Sequence, residues 1–256
     1  MIIIDDHAHI EKDWILKSFT SMDDFISDQE KNNVKYIITQ SLNRKTAEEA
    51  LALSKEHKII LPALGIYPHP GLSQIEGIDS DFKWIKRNIG SAVAIGEVGL
   101  DYSYENISVK EKEFQRALFE KFIDLSIQKK LPIIIHSRKA EKDVIELLIE
   151  KNAKKVVLHC FSGKKKIIQL AYEHGFYFSV PTNIVKSQHF QMLVDLVDIS
   201  KILTETDSPF MSPFTDGKPN QPKNIAESLK IIAKIKNMTV EETSNAIFQN
   251  FQKLYL

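Results

Sequence analysis

Short apolar runs recur along the whole chain, at 2–4, 36–39, 59–66, 92–95, 132–135, 156–158, 176–180 and 202–204. Most are continuous rather than alternating, the pattern of parallel strands covered on both faces. Between them lie longer stretches whose apolar positions fall three and four apart. The clearest opens at Ser108 with Glu111 three residues on, which predicts a capping box, and carries Phe114, Ala117, Leu118, Phe122 and Leu125 at helical spacing. Another spans 141–151, with Val144, Leu147 and Leu148 on one side. Eight strand–helix units without a Gly- or Pro-rich linker predict an α/β fold, a single (β/α)8 TIM barrel forming one domain over residues 1–256. An open doubly wound sheet is the alternative. It would place a Gly-rich phosphate loop after its first strand, where this chain has Asp5-Asp6-His7-Ala8-His9.

Composition narrows the class without naming a function. Of 256 residues, 43% are hydrophobic and 27% charged, enough for a sizeable core. The 34 basic and 34 acidic residues cancel, so no global field draws the protein to nucleic acid or anionic membrane, and any polyanion must meet a local positive feature. The one cysteine, Cys160, can form no internal disulfide; next to an inward-pointing His159 it reads as a small buried residue. The opening residues already read as a strand, leaving no room for a signal peptide, and no apolar run reaches the ~20 residues of a membrane span. The expectation is a cytoplasmic protein with no membrane association and no obligate protein partner.

In a (β/α)8 barrel every strand ends at the same mouth. The ends of the predicted strands carry His7 and His9 (strand one, with Asp5 before them), His69 (three), Glu97 (four), His136, Ser137 and Arg138 (five), His159 (six) and Asp207 (eight). His57, His174 and His189 fall in helices or connectors. Taken singly, these residues have structural readings: His136 and His159 as core histidines bonded to backbone, Glu97 as a turn residue, Asp207 as a helix cap or turn former. Taken together, four histidines and two carboxylates at one end predict a metal centre. Six ligands exceed what one tetrahedral zinc uses and suit two divalent ions with a bridging carboxylate. Such a cluster would keep about one net positive charge in a low-dielectric pocket, the local feature that the neutral surface lacks.

The segments 5–9, 95–102, 136–138, 158–163 and 205–210, with the closing Asn250-Phe251, give the chain a close resemblance to the TatD family of metal-dependent hydrolases, within the amidohydrolase superfamily. The resemblance implies that His7 and His9 hold one metal, His136 and His159 the second, that Glu97 bridges both, and that Asp207 touches the first metal and orients or deprotonates the attacking water. It implies phosphodiester hydrolysis, a divalent-metal-dependent deoxyribonuclease trimming from a 3′ end. Four stretches depart from the family pattern. Tyr67 replaces the histidine of Gly-x-His-Pro, Asp216-Gly217-Lys218 replaces an arginine before Gly-Lys, and Asn220-Gln221-Pro222 stands for Asn-Glu-Pro. After strand seven, Pro181-Thr182-Asn183 replaces a segment usually richer in glycine.

The expected activity is thus hydrolysis of DNA or another phosphoester through a two-metal centre and the hydroxide it generates, with Asp207 and Glu97 catalytic. His69, Tyr67, Arg138 and Lys218 are the expected substrate contacts. The two ions are expected among zinc, manganese, nickel and magnesium. A metallo-amidohydrolase acting on a small amide, lactone or phosphoester is the alternative, and a non-catalytic metal- or nucleic-acid-binding module is more remote. Phosphate-gripping side chains at the mouth favour the first, a closed apolar pocket the second.

Overall fold

The computed structural model describes residues 1–256. Eight strands, β1 (Ile3–Ala8), β2 (Val34–Gln40), β3 (Ile60–Leu64), β4 (Ala94–Asp101), β5 (Ile133–Arg138), β6 (Val156–His159), β7 (Tyr177–Pro181) and β8 (Ile202–Glu205), pair in chain order, all parallel. β8 returns to β1 just past its end: His9 N–H donates to Ser208 O (2.8 Å) and Asp207 N–H to His7 O (2.8 Å). The result is a nearly closed (β/α)8 barrel.

Helices return the chain from each strand to the next: α1 (Lys12–Ile15) and α2 (Met22–Lys31) after β1, then α3 (Arg44–Glu56), α4 (Ile78–Asn88), α5 (Val109–Lys129), α6 (Glu141–Glu150), α7 (Lys165–Glu173) and α8 (Gln188–Leu196), each after the next strand in turn. After β8 come α9 (Ile225–Lys236) and α10 (Val240–Tyr255). A single cluster of 63 buried apolar residues joins strands and helices, leaving no second core. α10 anchors the barrel floor. Its Ser244 hydroxyl accepts from Ile2 N–H and donates to Ile2 O, and Asn250 Nδ2 donates to the carbonyls of Ile199 and Ile202 beneath β8.

Each apolar run lies within or overlaps a strand, but the strands that carry the expected ligands extend past their runs. β1 reaches Ala8, β4 begins at Ala94 and reaches Asp101, β5 reaches Arg138 and β6 reaches His159. Ladder hydrogen bonds need only backbone, so pairing continues where side chains turn polar: Gly99, Leu100 and Asp101 stand opposite His136, Ser137 and Arg138. His7, Glu97, His136 and His159 therefore sit on strands rather than on the loops after them, which holds them more firmly. The predicted capping box of α5 is half formed. Ser108 accepts from Glu111 N–H (3.1 Å), but the Glu111 carboxylate is drawn instead to Ser73 N–H (3.1 Å) in the preceding connection.

Candidate metal centre

Six side chains from five strands converge inside the mouth of the barrel. His7 Nε2 lies 3.5 Å from Glu97 Oε2 and 3.6 Å from Asp207 Oδ1; His9 Nε2 lies 3.6 and 3.4 Å from the same two atoms. The other Glu97 oxygen, Oε1, faces His136 Nδ1 (2.9 Å) and His159 Nε2 (3.5 Å). Glu97 thus turns one oxygen to each pair of histidines. Ligands of a zinc-sized ion bonded at about 2.0–2.1 Å stand about 3.4 Å apart in a tetrahedron. The four histidine–carboxylate distances of the first group, 3.4 to 3.6 Å, are close to that spacing.

The donors fit a cation by their unmet bonding as well. His7 Nε2 is buried without a hydrogen-bond partner, a condition that costs about 1–3 kcal/mol if nothing meets it. Burial and neighbouring His159 push the His7 imidazole down to about 4, so its lone pair is available at neutral pH. Burial would raise the Glu97 carboxyl, but the close approach of His7 and His136 reverses this and holds it well below the usual carboxylate range. Asp207 is held low in the same way, burial being outweighed by His9, His159 and His7.

Backbone close to the ligands leaves room only for glycine. A Cβ on Gly65 would stand 2.6 Å from the Glu97 carbonyl oxygen, and one on Gly99, at φ +147°, would stand 1.9 Å from the His136 carbonyl oxygen. Asp5 ties β1 to the β8 loop, accepting from Thr206 N–H (2.9 Å) and from the Thr206 hydroxyl (2.5 Å). This sets Asp207, in a left-handed turn at φ +54°, against the His7–His9 strand.

The family model for TatD related DNases matches residues 4–256. The chain belongs to the TatD family of metal-dependent hydrolases. It is 32% identical over 252 residues to an uncharacterized metal-dependent hydrolase of Methanocaldococcus jannaschii, covering 98% of this chain and 96% of that protein. It is also 32% identical over 262 residues to the Homo sapiens protein named deoxyribonuclease TATDN3, covering 99% and 94%. Among solved structures, the TatD homologue YJJV of Escherichia coli K12 superposes with a TM-score of 0.88 at 22% identity, covering 99% of this chain and 97% of that one, which bears on the fold.

Two carboxylates in this TatD-family site escaped the sequence reading. Glu205 Oε1 lies 3.1 Å from His159 Nδ1, and Asp101 Oδ2 lies 3.0 Å from His136 Nε2. Each fixes the ring whose other nitrogen faces Glu97, the usual partnership behind a metal-binding histidine. Burial opposes the charge on His159, but the charge and hydrogen bond of Glu205 lift its imidazole to about 10, so a cation bound there would have to displace a proton. For Asp101 the available signal was spacing, four residues from Glu97 within β4, an even separation along a strand; for Glu205 there was none, because the chain leaves β8 there and turns left-handed at Asp207.

The expected substrate contacts separate. Arg138 and Tyr67 line an open cavity of about 590 Å³ above the centre. Tyr67 spends its hydroxyl on Asp101 Oδ2 (3.1 Å), so in place of the family histidine it braces the His136 partner. His69 is exposed beside Tyr104, outside the cavity lining. Lys218 is also outside, 3.9 Å from Asp216. Both sit on connections whose direction the strand pattern does not set. Cys160, expected to be buried, is only partly so: it packs against the core and also lines the cavity, where a left-handed φ of 43° turns the chain directly after His159. Phe190, Phe210 and Met211 complete one wall, a feature with no periodic signal. His57 and His174 end α3 and α7, and His189 lies in α8 bonded to Phe161 O (3.0 Å).

Proposed function

We propose that this TatD-family hydrolase is a deoxyribonuclease that removes nucleotides from a 3′ end with two divalent cations. The observation that carries the reading is the division of Glu97, whose two oxygens face two separate histidine pairs across one cavity. His7, His9, Glu97 and Asp207 would hold one cation, and Glu97, His136 and His159 the other. Four imidazoles with two carboxylates suit zinc, manganese or nickel better than magnesium. Bound cations would supply positive charge against the phosphoryl oxygens and lower the pKa of water.

The chain's own residues do the rest. Asp207, unprotonated at neutral pH, accepts the proton of the attacking water as its oxygen bonds to phosphorus and the P–O3′ bond breaks. Arg138, exposed on the rim, offers a bidentate grip on a phosphate. Lys164, Lys165 and Lys166 are exposed at the start of α7, directly after the loop from His159, with no acidic residue in that turn. Cations at a helix N-terminus are each unfavourable by about 0.3–1 kcal/mol, so their placement answers to something other than helix stability. A phosphate backbone crossing the rim supplies that reason. The cavity opens to the surface past Arg138 and Phe210, which favours a polymer over the small amide or lactone of a closed pocket.

Metal-stripped protein is to be assayed on single-stranded oligonucleotides labelled at either end, with manganese, zinc, nickel or magnesium added back. The expected result is stepwise shortening from the 3′ end that requires added metal, lowered about 10²–10⁴-fold by Asp207→Asn. Full activity in chelator or in Asp207→Asn overturns the mechanism, and shortening from the 5′ end overturns the polarity.

A further inference from the structure

Part of the cavity lining is apolar, and the loop that carries it is tied down by hydrogen bonds. Phe210 is 61% exposed and lines the same cavity as Glu97 and Asp207, to which its chain neighbour Met211 and the largely buried Phe190 also contribute. Its backbone is pinned: Phe210 N–H donates to Asp207 O (2.8 Å), and the Thr182 hydroxyl donates to Met211 O (2.8 Å). Asn220 Nδ2 donates to both the Thr182 hydroxyl (2.8 Å) and Thr206 O (2.9 Å). Thr182 and Asn220 are fully buried, so the segments after β7 and β8 that depart from the family pattern form the struts beneath this wall. Met211 is kept at a left-handed φ of +57°, a strained state for a long side chain that a tight network must enforce. A well-supported loop that presents a phenyl ring to solvent at a reaction centre is built for a flat, apolar ligand surface.

We propose that Phe210, with Met211 and Phe190 at its edge, is a base subsite on which the nucleobase adjoining the scissile phosphate stacks. The inference rests on the polynucleotide reading above and names what binds beside the phosphate. A phosphate held at Glu97 and Asp207 leaves the base of the same nucleotide in the same cavity, whose lining includes Phe210. Phe190, Phe210 and Met211 have no group that reads a base edge, so the subsite accepts any of the four bases by its face. Base identity then changes the rate of release little, while absence of the base changes it strongly.

The test compares Phe210→Ala and Phe210→Tyr with wild type on two single-stranded oligonucleotides, one intact and one abasic at its terminal two positions. On the intact strand Phe210→Ala should lose about 5- to 150-fold in kcat/KM, the range for one stacked base, and Phe210→Tyr should recover the lost factor. On the abasic strand wild type should already be lower by the same factor, with no further loss in Phe210→Ala. In the Asp207→Asn background, a terminal 2-aminopurine should be quenched on binding, and the quenching should vanish with Phe210→Ala. Equal losses on both strands, no loss on either, or quenching that survives Phe210→Ala overturns the base subsite and leaves the nuclease reading standing. Failure of wild type to cut the intact strand with any of the metals overturns the nuclease reading, and the subsite with it.

Discussion

Glu205 and Asp101 touch no substrate, yet they decide which nitrogen of each histidine faces the centre. Glu205 is fully buried and bonded to His159 Nδ1, so loss of its charge weakens the acceptor that orients the ring and makes Nε2 a strong electron-pair donor to a cation. Glu205→Gln keeps the volume and removes the charge. Metal binding by titration calorimetry is expected to weaken about 10- to 100-fold, while the urea midpoint of the metal-free protein changes far less. Unaltered metal affinity would remove Glu205 from the orienting role. His7 is supported differently: its ring stacks on His159 at 3.6 Å between centroids, so displacement of His159 is passed to the first ligand group as well.

At the scale of elements, the centre depends on how closely β3 and β4 approach. Gly65 follows β3, and a methyl group there would meet the Gly96–Glu97 backbone at 2.6 Å. Backbone cannot rotate away as a flexible side chain does, so β4 must shift and carry Glu97 with it. Gly65→Ala is expected to destabilise the protein by about 1–3 kcal/mol and to abolish most activity. Gly90→Ala, with open space around the added carbon, is expected to leave both intact. Denaturant melts and a nuclease assay check the pair, and equal behaviour of the two variants would contradict the close-approach argument. The closing Asn250-Phe251 also belongs to this scale. Asn250 satisfies two carbonyls at the start of β8, Ser244 of the same helix bonds Ile2 just before β1, and the buried Phe251 ring stacks on Tyr36 of β2 at 5.5 Å, so the last helix fastens both sides of the barrel seam and the strand beyond it.

Over the whole molecule the formal charge is zero, so attraction to a polyanion must come from where the charges stand. The strip Lys164 to Lys166 lies at the ligand end of the barrel, because α7 begins directly after the loop from β6. Each phosphate contact to a single strand adds about 0.7 to the salt slope of binding. Replacing all three lysines with alanine is expected to flatten the dependence of log(kcat/KM) on log salt by about two and to lower activity mainly at low salt. A parallel downward shift at every salt concentration would place the phosphate path elsewhere. No helix is long and apolar enough to cross a membrane.

The eight apolar runs and the order of His7, His9, Glu97, His136, His159 and Asp207 between them are properties of the chain alone. They were legible because strand periodicity is local and because one barrel end collects every strand terminus. Which carboxylate oxygen faces which histidine, and that Asp101 and Glu205 stand behind the rings, depends on the register of β4 against β5 and on the return of β8 to β1. Hydrogen bonds between residues far apart in sequence set both. The connections after β3, β7 and β8 have no period to read. Tyr67 therefore turned to Asp101, His69 and Lys218 fell outside the cavity, and Phe210 took its place on the wall through Thr182 and Asn220. Local pattern determined the inventory of the mouth; closure of the barrel decided its geometry, because only there do distant backbone groups satisfy one another.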